Sequence, residues 1–250
     1  MDIPPTTFAS SCRGLRWADN SAYIQIVGID ADDTLWDEAS AFDRAENRFV
    51  EAVACWTGDL DVRDQLRALH FALIERVGYG PAGYRIAIHS FCDNRVPAAF
   101  RGAAMDLAQA IFNDLDKALV APLPGVVQAL AQLSRHFPLV LLSKGDEAHQ
   151  RRKLDASGLG GAFRDVRIVR EKTASVYRET FGDIPSAMIG NSLKSDILPA
   201  LEAGAFGLHV PFYRTSPLEQ ADPPAGHDRF RQFLTLQDAA DWLCAYSSGK

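Results

Sequence analysis

The sequence predicts an α/β fold in which helices flank a parallel sheet, with an all-helical segment inserted after the first strand. An apolar, β-branched run at residues 23–29 ends abruptly in acidic residues, which is typical of a buried strand. Helix-like and strand-like segments then alternate between residues 124 and 210, and such alternation produces a parallel sheet with right-handed crossovers. Residues 37–119 between these parts show helical periodicity without a strand pattern, so we expect them to form the insertion.

Four helices are predicted within the insertion. The first starts near Ser40, a candidate N-cap, and ends at Gly58, because apolar residues recur between them at three- and four-residue steps. The other three are predicted at about 61–77, 81–92 and 97–119. The linkers on either side of this block would serve as hinges for a lid.

The second half of the chain is predicted to continue the sheet. Helices are expected at 124–135, 146–157, 173–181 and 195–203, and strands at 138–143, 165–169, 186–189 and 206–210. A Pro-rich stretch at 212–234 is expected to wrap the surface as a loop before a closing helix at 236–246. The resulting domains are a flexible leader at 1–20, a catalytic core at 21–36 and 121–250, and a helical cap at 37–120.

Composition restricts the class of protein. A chain of 250 residues with 47% apolar content can bury an ordinary core, and its net charge of −6 argues against a nucleic-acid partner. The basic triplet at 151–153 is interpreted as the solvated face of a helix. Four widely spaced cysteines indicate neither a zinc site nor a disulfide framework. Without a signal-like or membrane-length apolar segment, we expect a cytoplasmic protein with no membrane partner, whose oligomeric state the sequence leaves open.

The first strand ends in three acids within four positions, Asp30, Asp32 and Asp33. A turn at this point would let Asp30 and Asp32 face one pocket at the carboxyl end of the strand, where open α/β sheets bind their ligands. Carboxylates at that range raise each other's pKa unless a cation compensates their charge. The alternative is a solvated turn with Asx capping.

Polar residues that could complete a site with Asp30 and Asp32 follow the later predicted strands. Ser143 ends the strand at 138–143, Lys172 follows the strand at 165–169, and a segment from Gly190 to Asp196 follows the strand at 186–189. Because the carboxyl ends of parallel strands share one edge, these residues are expected to meet Asp30 and Asp32 there.

Together these motifs resemble the haloacid dehalogenase superfamily, with D-x-D-x-T at Asp30 to Thr34. The resemblance covers about residues 23–210 and implies a Rossmann-like core with a helical cap of the first class, in the phosphatase branch. It implies Asp30 as nucleophile and Lys172 as the cation that holds both Asp30 and the phosphate. It also implies a Mg²⁺ ion bound by Asp30, Asp32 through its backbone carbonyl, Asn191 and Asp196.

The chemistry gives reasons for these residue types. A phosphate ester is an anion, so a carboxylate attacks it only where cations screen the repulsion. Asp32 would protonate the leaving alkoxide and then activate water. Ser143 would donate its hydroxyl to the phosphoryl group, supported by the N–H groups near Gly145.

Substrate contacts are assigned to both parts of the chain. The predicted contacts are Lys144 and Gly145 after the second strand of the sheet, and Arg85 and His89 in the insertion. Further candidate substrate contacts in the insertion are Arg76, Tyr79, Tyr84 and Arg95. A lidded site suits a small phosphorylated metabolite, because closure expels water from around the phosphoryl group.

One position departs from the family pattern. The residue after Gly190 is Asn191, where the superfamily commonly has a metal-binding Asp. An amide oxygen still coordinates Mg²⁺ but brings no charge, so we expect weaker metal affinity with Asp196 compensating through bound water.

The preferred function is therefore a Mg²⁺-dependent phosphatase. Dehalogenases that resemble this chain lack a carboxylate at the position of Asp32, because a halide leaving group needs no proton. Phosphomutases keep both acids, so this class stays open. The remaining alternatives are a 2-haloacid dehalogenase and a binding module that has lost turnover through Asn191.

Overall fold

The computed structural model describes residues 23–77, 80–116, 120–216 and 219–247. Its strands are β1 (Ile26–Ile29), β2 (Leu139–Lys144), β3 (Asp165–Val169), β4 (Ser186–Gly190), β5 (Phe206–His209) and β6 (Phe230–Gln232). These described strands form one sheet in the order β3-β2-β1-β4-β5-β6, and every neighbouring pair is parallel. The predicted α/β fold with a Rossmann-like parallel sheet is confirmed.

Helices occupy both the insertion and the crossovers of the sheet. Those between β1 and β2 are α1 (Ala39–Thr57), α2 (Val62–Val77), α3 (Pro81–Arg95), α4 (Ala98–Asp116) and α5 (Val126–His136). Those after β2 are α6 (Glu147–Ser157), α7 (Ala174–Phe181), α8 (Leu198–Glu202) and α9 (Leu236–Ser247). A 3₁₀ turn at Gly160–Ala162 and a π-helical turn at Leu193–Ile197 complete the described elements. We refer to α1–α4 as the helical insertion.

Strand β1 lies at the topological switch point of the sheet. It pairs with β2 on one side and with β4 on the other, so the chain leaves it in opposite directions across the sheet. A crevice forms outside the carboxyl ends of the strands at such a point. The turn that begins at Asp30 therefore emerges where ligands of this architecture bind.

Separate apolar clusters stabilise the insertion and the sheet. Within the insertion, Phe49, Phe91 and Phe112 are fully buried together. One face of the sheet packs under α5 and α9, whereas the other packs under α7 and α8 with Tyr177 and Phe181 buried. The division into core and cap at residues 36/37 and 120/121 stays a prediction, and the separate clusters of the insertion and the sheet are consistent with it.

Several predicted boundaries differ from the observed ones. The first strand begins at Ile26, three residues later than the apolar run, and the segment predicted as a helix at 195–203 starts as a π-helical turn. Strand β6 was not expected, because its residues 230–232 form a short edge strand inside the stretch predicted as loop. The predicted leader at 1–20 lies outside the described residues.

The start of α1 has a different cap from the predicted one. Asp33, rather than Ser40, accepts hydrogen bonds from the N–H groups of Glu38 and Ala39, each at 2.9 Å. The prediction of Gly58 as the C-terminal residue is confirmed, since it follows α1 in the left-handed conformation. Asp33 thus ties the turn after β1 to the first helix of the insertion.

The sequence predicts neither a membrane span nor a disulfide framework. Among the described helices, none has both the length and the apolar content needed to cross a bilayer. Cys55 and Cys92 are free thiols.

Candidate active site

A cavity of about 540 Å³ lies between the carboxyl edge of the sheet and the helical insertion. The side formed by the sheet, which we call the core wall, contains the residues predicted from the strand ends. They are Asp30, Asp32, Ser143, Lys144, Gly145, Lys172, Asn191 and Asp196. The structure thus brings the four predicted motifs together around one space.

Lys172 joins the two buried carboxylates of the core wall. Its Nζ donates to Asp30 Oδ1 and, at 2.7 Å, to Asp196 Oδ1, and all three side chains are at most 8% exposed. Burial raises the pKa of Asp30 to about 7, and Asp196 adds to the rise while Lys172 opposes it. Burial alone would lower the pKa of Lys172, but the carboxylates of Asp196 and Asp30 raise it. Two acids share one ammonium, so a further cation would be stabilised here.

Backbone geometry at the end of β4 fixes Asp196. A Cβ atom at Gly190 would lie 2.3 Å from Asp196 Oδ2, so only glycine lets this carboxylate rest against the strand end. Ser192 N donates to the same oxygen at 2.9 Å. With its other oxygen bound to Lys172, Asp196 acts as an anchor for that lysine.

Asp32 has its own cation. Its Oδ1 accepts hydrogen bonds from Lys153 Nζ at 2.6 Å and Trp36 Nε1 at 2.7 Å, and its Oδ2 accepts one from Gln150 Nε2 at 2.7 Å. Burial would raise the pKa of Asp32, but Lys153 and the other donors hold it below its usual value. The Asp32 carboxylate is therefore fixed and ionised.

The position of Lys153 corrects the prediction for the basic triplet. Its side chain is 7% exposed and also lies 3.1 Å from Glu38, whereas Arg151 and Arg152 are exposed as predicted. Helix α6 is strongly polar overall, so its sequence gives no periodic signal to mark Lys153 as the inward residue.

Ser143 and Gly145 differ in what they offer a ligand. The Oγ of Ser143 is buried at the cavity without a hydrogen-bond partner among the described residues. A buried hydroxyl in this state is costly unless something binds it. The N–H of Gly145, in contrast, donates to Val169 O at 3.0 Å. Gly145 lines the cavity, but its own amide is engaged, so support for the phosphoryl group would come from the N–H groups beside it, and this stays a prediction.

The oxygens of Asp30 and Asn191 converge, as a metal site requires. Thr34 Oγ1 lies 3.2 Å from Asp30 Oδ2 and 3.4 Å from Asn191 Oδ1. No group of three or more His, Cys, Asp or Glu side chains in the described part of the chain is placed to hold a metal ion. The donor set is thus a carboxylate and an amide, both hard oxygen ligands that suit Mg²⁺ together with water and phosphate oxygens. Both carboxylate oxygens of Asp32 accept hydrogen bonds within the protein, so Asp32 would contribute its backbone carbonyl to the metal site instead.

The opposite side of the cavity, the insertion wall, contains Tyr84 from the predicted candidates, and its other residues were not predicted. It includes Phe42, Glu46, Arg67, His70, Phe71, Ile74, Pro81 and Tyr84. Glu46 accepts hydrogen bonds from Arg63, Arg67 and Tyr84 at 2.8 to 3.2 Å. The wall is therefore mainly apolar, with one ion-pair cluster.

Arg85 and His89 do not line this cavity. The guanidinium of Arg85 lies 3.5 Å from Asp116 and 4.7 Å from the ring centre of Phe112. Helix α3 presents Tyr84 to the cavity, so the neighbouring Arg85 points elsewhere. Among the other candidates, Arg76 and Arg95 also lie outside the lining, and Tyr79 falls outside the described residues.

The stretch after β5 also reaches the cavity, which corrects its prediction as a surface loop. Arg214 pairs with Asp43 of α1, and Glu219 contacts Lys144. Nothing in the sequence marked Glu219, because it stands in an irregular Pro-rich segment without periodicity.

Neither a protein-family model nor a curated protein sequence matches the chain. Among solved structures, a haloacid dehalogenase-like family hydrolase from Xanthomonas campestris is 28% identical, with 90% of this chain and 93% of that chain covered and a TM-score of 0.76. The L-2-haloacid dehalogenase from Xanthobacter autotrophicus is 19% identical, with 88% and 98% covered and a TM-score of 0.58. A HAD-hydrolase from Bacillus subtilis bound to magnesium is 16% identical, with 88% and 99% covered and a TM-score of 0.57.

The last two similarities show a shared fold. The first extends over nearly the full length of both chains. The strand-end residues that carry the resemblance noted in the sequence also meet at one cavity. This chain belongs to the haloacid dehalogenase-like hydrolase superfamily.

Proposed function

We propose that this protein is a Mg²⁺-dependent phosphatase that hydrolyses a small phosphorylated metabolite through a phosphorylated Asp30. One observation carries the proposal: two carboxylates on a single turn face one cavity but are paired with different lysines, Asp30 with Lys172 and Asp32 with Lys153. Different partners give the two acids different pKa values, as separate roles in catalysis require.

Asp30 would supply the attacking oxygen. Lys172 orients the Asp30 carboxylate and would contribute positive charge to the phosphoryl oxygens, while the unpartnered hydroxyl of Ser143 would donate to one of them. Asp30 and Asn191 would hold the metal. When bound, Mg²⁺ supplies the positive charge that lets an anionic nucleophile approach an anionic ester.

Asp32 would move the proton. Lys153 keeps its carboxylate ionised in the structure described here, but an incoming phosphoryl group adds negative charge nearby and raises the pKa of Asp32. Protonated from solvent in that complex, Asp32 would donate to the leaving alkoxide. The resulting carboxylate would then accept a proton from the water that attacks phosphorylated Asp30.

The cavity supports a small substrate. Its volume of about 540 Å³ lies within the range of small-molecule sites. Phe42, Phe71 and Ile74 would contact apolar parts of the leaving group, whereas Arg67 offers hydrogen-bond donors. We therefore propose a metabolite with both apolar and polar surface.

A second candidate, dehalogenation of a 2-haloacid, is favoured by the ionised state of Asp32. A halide leaves without a proton, so an acid held as its carboxylate by Lys153 would not hinder that reaction. Release of halide from 2-chloropropionate without added metal would support this candidate over the phosphatase.

The proposal is tested with p-nitrophenyl phosphate, followed by a panel of phosphorylated metabolites. We expect release of inorganic phosphate with Mg²⁺ and none with EDTA. Asp30→Asn should lose activity by on the order of 10³-fold or more, as other enzymes do without their nucleophile, whereas the exposed control Asp165→Asn should keep it.

Unchanged activity in Asp30→Asn would contradict the proposal. Phosphate transfer within the metabolite without release of inorganic phosphate would indicate a phosphomutase instead. Binding of phosphate without turnover of any ester would indicate a binding module.

A further inference from the structure

Three hydrogen-bond donors of the core wall converge on the carboxylate of Glu219. Lys144 Nζ donates to Oε1, while Ser192 Oγ, at 2.7 Å, and Ser195 Oγ both donate to Oε2. These donors come from two strand ends, β2 and β4, and Glu219 comes from the stretch after β5. We call the three donors the anion cradle.

The arrangement is that of an anion-binding site filled by the protein's own carboxylate. The Glu219 side chain is only 16% exposed, so it has lost most of its contact with water. Burial would raise the pKa of Glu219, but Lys144 and the two serines lower it. An ammonium and two hydroxyls are also the donors that bind phosphate or carboxylate groups of ligands.

The cradle is organised independently of its occupant. Lys144 Nζ also lies 3.1 Å from Ser195 Oγ, and Ser195 N donates to Ser192 Oγ at 3.0 Å. These bonds link the three donors to one another without Glu219. Removal of that carboxylate would therefore leave a preorganised site.

The cradle adjoins the residues proposed for catalysis. Lys144 follows Ser143 directly, and Ser195 directly precedes Asp196, so the cradle and the Asp30–Lys172 pair line the same cavity. A substrate that carries a second anionic group a few bonds from its phosphoryl group would bring that group towards the cradle.

The segment that carries Glu219 also contacts the helical insertion. Arg214 pairs with Asp43, and the hydroxyls of Tyr213 and Ser40 are hydrogen-bonded to each other. Residues close to Glu219 in the chain thus contact the insertion, while Glu219 itself contacts the core wall.

We propose that Glu219 blocks the anion cradle, an anion-binding site beside the proposed catalytic residues, and thereby makes the protein selective for esters with a single anionic group. A phosphate or carboxylate elsewhere on the substrate would have to displace Glu219 and would be repelled by it. The catalytic context of this selectivity rests on the proposed phosphatase function, whereas the occupied cradle does not.

Binding measurements test the inference separately from turnover. Calorimetry in excess Mg²⁺ would compare methylphosphonate, which has one anionic group, with phosphonoacetate and 3-phosphonopropionate, which carry an added carboxylate. For wild type we expect the added carboxylate to bring no gain in affinity. For Glu219→Ala we expect a gain of about tenfold, the size of one charge-assisted hydrogen bond.

Glu171→Ala is the matched control. Glu171 lies 3.9 Å from Lys144 but is 55% exposed and has no part in the cradle, so its removal changes the net charge equally without opening the site. Glu219→Gln keeps the shape of the side chain and removes its charge, and it should show part of the gain even if Glu219→Ala folds poorly.

The expected result is a gain in Glu219→Ala that Ser192→Ala and Ser195→Ala, added to that variant, reverse. An equal response of Glu171→Ala and Glu219→Ala would overturn the inference, since charge alone would then explain it. An unchanged preference in both Glu219 variants would overturn it as well. Failure of every phosphate ester to be hydrolysed would count against the proposed function only.

Discussion

The two walls of the cavity differ in how they are built. On the core wall each proposed catalytic carboxylate is paired with a buried lysine, Asp30 with Lys172 and Asp32 with Lys153. The insertion wall is mainly apolar, and its charged residues are paired chiefly with one another, as in the Glu46–Arg67 pair. The difference indicates that the core wall positions the charged groups that would react with the phosphoryl group. The insertion wall would contact the part of the substrate that does not react.

The largest expected effect is on the core wall, in Lys172→Met. This variant leaves Asp30 and Asp196 buried without their shared cation, so the free energy of unfolding should fall by about 3 kcal/mol and phosphate hydrolysis should be lost. The fall should be greater at pH 8 than at pH 5, because the pKa of buried Asp30 is raised to about 7 and its carboxyl group is therefore more fully ionised at the higher pH. Urea denaturation at both pH values measures it.

Arg151→Met is the control for Lys172→Met. Arg151 pairs with Glu147 on an exposed helix surface, so its loss should change stability by at most about 0.5 kcal/mol. Equal stability losses in the two variants would show that the core wall has no special dependence on its buried lysine.

Lys153, the second buried lysine of the core wall, should affect the pH dependence of kcat. Lys153→Met removes the main cause of the lowered pKa of Asp32, so that pKa should rise. Hydrolysis of phosphorylated Asp30 requires Asp32 as a carboxylate, and the acidic limb of the kcat profile should therefore move to higher pH. At pH 6 we expect a loss of about tenfold. An unshifted limb would mean that Asp32 is not the group that moves the proton.

On the insertion wall, Phe71→Ala should raise KM several-fold and leave kcat within about twofold, because a buried apolar contact contributes about 1–2 kcal/mol to binding. Arg85→Ala should change neither constant, since Arg85 pairs with Asp116 away from the cavity. Steady-state kinetics on the best substrate of the panel measure both. A rise in KM for Arg85→Ala but not for Phe71→Ala would show that Arg85, and not Phe71, contacts the substrate.

The smallest expected effect lies at Asp33, which connects the two walls through its bonds to Glu38 and Ala39. Burial raises the pKa of Asp33 to about 7, so between pH 4 and 7 the folded protein binds more protons than the unfolded chain. The contribution of Asp33 to stability therefore falls as pH rises through this window.

Asp33→Asn keeps the hydrogen-bond acceptor without the charge, and asparagine tolerates the observed φ of 59°. It should be more stable than wild type by about 1 kcal/mol at pH 8 and equal to it below pH 4. Thermal unfolding across this range measures the difference. Asp37→Asn, at an exposed cap of Ser40 N, should show no such trend.

The same contrast explains which residues could be predicted. Asp30, Ser143 and Lys172 follow apolar strand runs, and parallel strands place such ends side by side, so local pattern was sufficient to bring them to one edge. Lys153 and Glu219 gave no signal. One stands in a polar helix without apolar periodicity and the other in an irregular segment.

The insertion wall was harder to predict for a different reason. In a helix of the insertion, an apolar residue that faces the cavity and one that faces the apolar cluster follow the same periodicity. Phe71 of α2 therefore cannot be recognised from the sequence. The chemistry of Arg85 and His89 predicts substrate contacts, but α3 turns both away from the cavity. Only the packing of α1–α4 against the sheet decides which side chains reach the substrate space.

The most direct measurement is chemical trapping of phosphorylated Asp30. Wild type turning over p-nitrophenyl phosphate with Mg²⁺ would be quenched with acid and reduced with borohydride, which converts an acyl phosphate into an alcohol. Mass spectrometry of the peptide that contains residue 30 should then show homoserine at that position, and neither Asp30→Asn nor an EDTA-treated sample should yield it. Sustained hydrolysis with an unmodified Asp30, or an adduct on any other residue, would contradict the account.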